Sequence, residues 1–498
     1  MALYLLGATM SKIILIILFL TVSSSYAQIS VEQNPFEKAD PFVYQSTRNE
    51  FWQAVQGHLN KNEFARVIEL ASQDDIKALK PNEKAEVYLA VAEATSKSGH
   101  PYLAFLLAHE ITKIFPLSNQ AIRSYFIVED ILKRNAITDD LIIGESIIEQ
   151  DINFENKKIP FELKGFLGYL FFQSYRQQNF TKWEKQVQKL IAPGTEWSFR
   201  LDYDRALYEL YNDRYDEALK IFERLMSEEK ASDFLRKKSK RQYARLIFEK
   251  GEFQKAFELL KSLQFEQDDR GFILLERAWT KYYQKHYSKA LGLLTALDAK
   301  LFDSSRTPET DILKMLIYKE LCHFDSVFEI KKVFDKRYKK SLDEIKKRAD
   351  LTKNKELLQL ALQKPQLKNY STFIGGLRLD LDWVKESGGS GSLLADLQSK
   401  VKLKDRQLQD VLSLKTREEI RRSADDLLDW SEQVNFLDYQ TRVDSLRVRR
   451  SDAELNYRPE PIPLITFDRL YWLYKGEIWL DEIENLRVLV KSKCQQTQ

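Results

Sequence analysis

The chain has 498 residues, 44% of them hydrophobic and 30% charged, which is enough apolar content for one large core or several smaller ones and excludes a mainly disordered polypeptide. With 77 Lys and Arg against 74 Asp and Glu, the net charge of +3 supplies no global field for nucleic acid or an anionic membrane, so any such patch would have to be local. Gly (16) and Pro (12) are scarce, a balance that disfavours turn-rich sheets and predicts an all-α chain.

The N-terminus has the pattern of an export signal. Ser11 and Lys12 precede the apolar run Ile13 to Val22, and Ser25-Tyr26-Ala27 places small residues at the −3 and −1 positions of a cut after Ala27. Met10 offers a second, more compact start. The apolar run of about ten residues falls short of the roughly twenty that span a bilayer, and no cysteine lies near the cut for lipid attachment. Residues 1–27 are therefore expected to be a signal peptide and 28–48 a flexible segment. The mature chain is expected to be periplasmic or secreted, without stable membrane insertion.

Residues 49–302 carry a repeat. DRYDEALKIFERL places Tyr215 three residues before Ala218; GEFQKAFELLKSL does the same with Phe253 and Ala256, and KHYSKALGLLTAL with Tyr287 and Ala290. The three alanines are 38 and 34 residues apart, the period of a two-helix repeat of about 34 residues. Upstream, Tyr88 and Ala92 take the first-helix positions, Ala104 the small slot and Pro116 the closing position. Phe51, Phe64 and Val67 form the earliest copy, and Phe180 with Trp183 a divergent one that has Trp in the small slot. These residues resemble the tetratricopeptide (TPR) signature, which implies an α-solenoid of TPR-like helical hairpins followed by long C-terminal helices. A helix pair of this size cannot bury its own apolar face, so neighbours must stack. The aromatic and small positions are accordingly expected in the core, and the family resemblance implies a concave face for a peptide or protein.

Residues 303–386 continue helically, with Cys322 inside an apolar-periodic stretch. Gly375-Gly376 and the run 387–392 are the only dense glycine punctuation and predict a break or hinge. Residues 393–456 are rich in Ala, Glu, Lys, Leu and Arg without proline. Leu393, Leu394, Leu397, Val401, Leu408, Val411 and Leu412 make a stripe at three and four, expected of a helical hairpin or coiled-coil-like arm. Pro459 to Leu464 then leads into a capping segment, 457–498. There a helix from near Gly476 would place Glu477, Asp481 and Glu482 in its first turns and Arg487, Lys491 and Lys493 at its end, the order a helix dipole favours. Ile478, Leu480, Ile483, Leu486, Leu489 and Val490 would supply its apolar stripe.

Chemistry-bearing patterns are sparse. The histidines His58, His100, His109, His286 and His323 are scattered, without zinc-ligand spacing. Neither a phosphate-cradling glycine loop nor a nucleophile elbow is present. No cofactor, metal or catalytic residue is expected, and the basic run Arg447 to Arg450 is too short to indicate nucleic acid. Paired carboxylates are the one enzymatic alternative: Glu477 with Asp481 beside Trp472 and Trp479, or Asp380 and Asp382 before Trp383. Glycoside hydrolysis needs two carboxylates flanking a bond, whereas helical neighbours point the same way. Cys322 and Cys494 are an even pair, available to bridge in an oxidising compartment; two independent buried thiols are the alternative. Finally, WLYKGEIWLDE from Trp472 is similar to the endings of large periplasmic TPR proteins of bacterial gliding-type motility and envelope complexes. That resemblance implies a non-catalytic scaffold with protein partners in the cell envelope. A peptidoglycan-active enzyme on a helical scaffold and a periplasmic chaperone or peptide-binding module are the rival readings.

Overall fold

In the computed structural model the described residues are 42–116, 118–135, 137, 159–263, 267–447 and 485–494. Among them all regular structure is helical. Sixteen helices precede a final pair: α1 (Asn49–Asn60), α2 (Phe64–Ala71), α3 (Pro81–Lys97), α4 (Pro101–Ile114), α5 (Asn119–Lys133), α6 (Phe161–Tyr175), α7 (Phe180–Val187), α8 (Glu196–Tyr211), α9 (Tyr215–Ser227), α10 (Asp233–Glu249), α11 (Phe253–Lys261), α12 (Gln267–Tyr283), α13 (Tyr287–Ala296), α14 (Pro308–Glu320), α15 (Phe324–Lys346) and α16 (Lys355–Leu362). The final pair is α17 (Pro365–Glu386) and α18 (Gly391–Arg447).

One turn, in which a left-handed residue is followed by a backbone bond reaching five positions back and by a new helix two residues on, recurs six times among the described residues, and it explains the periodic signature. Asn62, Gly99, Asp213, Gly251, Lys285 and Cys322 each adopt a left-handed conformation, with φ between 55° and 90°. In every case the next residue donates its N–H to the carbonyl five positions back: Glu63 to His58, His100 to Thr95, Arg214 to Glu209, Glu252 to Ile247, His286 to Lys281 and His323 to Tyr318. This bond satisfies a carbonyl that the helix end leaves open. Two residues after the left-handed position the next helix begins, with Phe64, Tyr215, Phe253, Tyr287 or Phe324, or with Pro101. The sixth turn lies beyond residue 302. In its copy Val327 fills the small slot, as Val67 does in the first; both are fully buried, like Ala92, Ala104, Ala218, Ala256 and Ala290.

Consecutive helices pack side by side, and alternate ones also touch: α1 with α3, α3 with α5, α6 with α8, α8 with α10 and α12 with α14. Where the slot holds a buried alanine, as at Ala104, Ala218, Ala256 and Ala290, the small side chain lets neighbouring backbones approach. Tyr88 and Tyr287 are buried, and Phe253 and Pro116 are half-buried. Tyr215 differs: it is 39% exposed, and its hydroxyl turns back to Asp213 Oδ1 at 3.1 Å.

The glycine pair Gly375-Gly376 does not break the chain but lies inside α17. The reason is contact. A Cβ on Gly376 would sit 2.1 Å from the Tyr102 ring of α4, so the residue permits close approach, not bending. The run 387–392 forms the corner between α17 and α18 and is bonded to the α2–α3 connection. Ser390 N–H donates to Ser72 Oγ at 3.2 Å, and Ile76 N–H to Ser392 Oγ at 3.0 Å.

The long C-terminal segment is one helix of 57 residues, about 85 Å at 1.5 Å per residue. Its buried seam follows helical spacing in two stretches, Leu393, Leu397, Val401 and Leu408, then Ile420, Ala424, Leu427, Val434 and Leu437, with half-buried Leu412 between them. Val411, expected on that seam, is exposed. The first part of the seam joins the core built from α1 to α8, together with Tyr370, Phe373 and Leu377 of α17. The second part joins the core of α14 to α16. Further cores, among them those of α8 to α11 and of α12 to α14, lie between in chain order. Helix α18 therefore bridges the first and last parts of the array, where the sequence led us to expect an arm. Residues 448–456 of the expected segment lie outside the described residues.

Candidate interaction surface

Because five of the six turns lead into a helix that begins with an aromatic residue, and the preceding helix often ends in one, aromatic rings gather along the turn edge of successive helix pairs. Phe180 stacks on Tyr208 at 4.1 Å, linking α7 to α8. Phe253 stacks on Tyr283 at 5.0 Å and Phe248 meets the same ring edge-on at 5.3 Å, linking α10 and α11 to α12. Tyr211 is 83% exposed and Tyr283 43%. Two cations lie over the row, Lys182 Nζ at 4.5 Å from the Trp183 ring and Arg214 at 5.9 Å from Tyr208. Rigid, partly exposed aromatics flanked by cations are the composition of a protein-contact surface.

The first helices of the pairs carry a second row, of acids, and here the groups are committed to one another. Glu93 accepts from Arg123 at 2.6 Å, Glu129 from Trp197 Nε1 at 2.8 Å, and Glu309 from Trp279 Nε1 at 2.7 Å. Asp204 accepts from Tyr169, Gln173 and Arg176. Glu276 of α12 lies between Arg241 and Arg245 of α10, at 2.9 and 2.5 Å. Burial pushes the Glu276 carboxyl up, but Arg245 and Arg241 outweigh it and hold the group below the ordinary carboxylate range. These bonds tie one helix pair to the next.

The sequence candidates for paired-carboxylate chemistry do not converge. Asp380 is buried on α17 and reaches the start of α4, accepting from Leu103 N–H at 2.8 Å and lying 3.2 Å from His100 Nδ1. Burial raises its carboxyl, against the bond from Leu103 and the His100 charge. Trp383 stacks on His100 at 4.6 Å. The group holds α4 and α17 together at a helix start, where negative charge is favoured. Asp382 faces solvent. Glu477 and Asp481 lie outside the described residues. Among the described residues no cluster of His, Cys, Asp or Glu could hold a metal ion, and no helix is long and apolar enough to cross a membrane. His109 is buried on α4, away from His100 at its start.

The C-terminal segment departs most from expectation. Cys322 and Cys494 are disulfide-bonded, 172 residues apart. Residues 486–493 carry no regular structure, so the helix expected to include Leu486, Leu489 and Val490 is absent here. Leu486, Val488, Val490, Ser492 and Cys494 are half-buried and the residues between them exposed, the two-residue period of an extended chain. Val488 N–H donates to Ser288 O at 3.2 Å and Lys493 N–H to Leu321 O at 2.9 Å. His323 Nε2 meets Lys491 O at 2.6 Å. Leu486, Val488 and Val490 pack on the core of α12 to α14. Sequence reasoning missed Gly292 of α13, where an added Cβ would lie 1.8 Å from Leu486 O. Its signal was a lone glycine inside a helical pattern.

Comparison with known protein families, with curated proteins and with solved structures finds no match.

Proposed function

We propose that this protein is an exported α-solenoid of TPR-like helix pairs that acts as a protein–protein interaction scaffold in a bacterial cell envelope, in the setting of a motility or envelope machine. The observation that carries the reading is the exposed aromatic row along the turn edge, presented by an array whose acids are occupied in holding successive pairs together. A scaffold needs a stiff frame and an unpaired contact face, and these residues supply both. Export is supported by the apolar N-terminal run and by the Cys322–Cys494 bond, of a kind that persists in oxidising compartments and is rare in reducing ones.

Crosslinking in intact cells, followed by fractionation and identification of the captured proteins, tests the proposal. The expected outcome is a defined envelope partner whose capture falls when Tyr211 and Tyr283 are both replaced by alanine, each anchor typically contributing about 1–2 kcal/mol. Recovery of the chain in the cytoplasm would overturn export. Release of muramyl products from purified sacculi, abolished by Glu477→Gln, would replace the scaffold by the peptidoglycan-active enzyme.

A further inference from the structure

We propose that the surface formed by α13 and the turn Leu321–Phe324 is a peptide-binding groove for an extended segment with aliphatic residues at alternate positions, and that residues 486–494 are its built-in ligand. The inference is independent of where the protein works.

Three features belong to the groove and not to the tether. First, recognition runs through the ligand backbone. The carbonyls of Ser288 and Leu321 accept the N–H groups of Val488 and Lys493, and His323 Nε2 meets the carbonyl of Lys491. Leu321 follows α14, so its carbonyl is among those a helix end leaves open. Backbone contacts with pockets for every second side chain are how extended peptides are recognised. Second, Leu486, Val488 and Val490 turn inward onto the α12–α14 core, while Arg487, Leu489, Lys491 and Lys493 face out. Third, Gly292 leaves open the space through which the Leu486 carbonyl passes. A glycine is disfavoured in a helix relative to alanine, and here it clears the path of the bound chain.

The tail belongs to the same chain, and the disulfide shortens its tether, which raises its effective concentration at the groove and disfavours competing peptides. Without that bond the same site admits a free peptide of this pattern.

The test uses the full chain. In the Cys322→Ser/Cys494→Ser protein, amide exchange at Val488 and Lys493 is expected to stay at least about tenfold slower than in a free peptide of residues 485–494. Exchange as fast as in the free peptide would show that the disulfide alone holds the tail, and would overturn the proposal. A second protein adds Leu486→Asp, Val488→Asp and Val490→Asp to vacate the groove. A fluorescent peptide of residues 485–494, with Ser for Cys494, should then bind saturably. The same peptide with three aspartates should not, and Gly292→Leu should abolish binding. Absence of saturation, with unchanged helix content and melting, would equally overturn the proposal. If the second protein does not fold, the exchange measurement decides alone.

Discussion

Glu276 shows at a single position how this chain uses its acids. The side chain is only 12% exposed and contacts Arg241 and Arg245, themselves 17% and 32% exposed. Removing one member of such a cluster leaves charges confined without a partner, so Glu276→Gln is expected to lower stability by about 2 kcal/mol, the upper range being reduced by partial solvent access. The pH dependence has a definite sign. A carboxyl held below its unfolded value contributes stability above the ordinary glutamate range and loses it as the pH falls through the folded value. Urea unfolding should therefore show wild-type stability falling below about pH 4, and the Gln variant falling less over that window. An equal slope in both proteins would refute the role given to the arginines.

At the scale of elements, the contact that matters most is that of α18 with α3 and α4. Tyr88 donates its hydroxyl to Asp396 at 2.5 Å, and the ammonium groups of Lys84 and Lys400 lie 5.4 and 5.1 Å from its ring. Burial, and then the Asp396 carboxylate, push the Tyr88 hydroxyl far above the ordinary phenol range. Lys400 also pairs with Glu110 of α4. The two single substitutions should differ. Asp396→Ala strands a hydroxyl where water has little access, a cost of about 2 kcal/mol, whereas Tyr88→Phe removes the donor and leaves a carboxylate that water and Lys84 still reach, about 1 kcal/mol. Chemical denaturation of both variants measures the difference, and equal losses would mean that the hydrogen bond does not hold α18 in place.

For the whole molecule, the consequence of α18 is closure. Repeat arrays contact only their neighbours, so long ones tend to lose cooperativity and unfold in parts. Here α18 carries the first core into contact with the last. Scanning calorimetry is expected to give one transition, with calorimetric and van't Hoff enthalpies in agreement. Leu397→Ala with Val401→Ala, each removing buried methyl groups from the seam against the first core, should separate that transition into two. A single transition moved to lower temperature would show that the array is cooperative without its brace.

What the sequence determined by itself was whatever depends on neighbours along the chain. The all-helical class follows from composition and spacing, and the aromatic and small positions from a period that survives divergence, because each pair meets the next at the same local offsets. The tail shows where local reasoning divides: Leu486, Leu489 and Val490 fit a helix, while Leu486, Val488 and Val490 fit an extended chain equally well. Nothing within those residues chooses. The choice is made by Gly292, Ser288 and Leu321, far away in sequence. Likewise Gly376 has a hinge's composition and a contact's purpose, visible only once Tyr102 lies against it. The first stretch of the α18 seam was legible apart from Val411, which is exposed, but neither the second stretch, Ile420 to Leu437, nor its place in a different core could be read. Tertiary structure decided these because burial and hydrogen bonding between distant segments outweigh the small local preferences that a sequence displays.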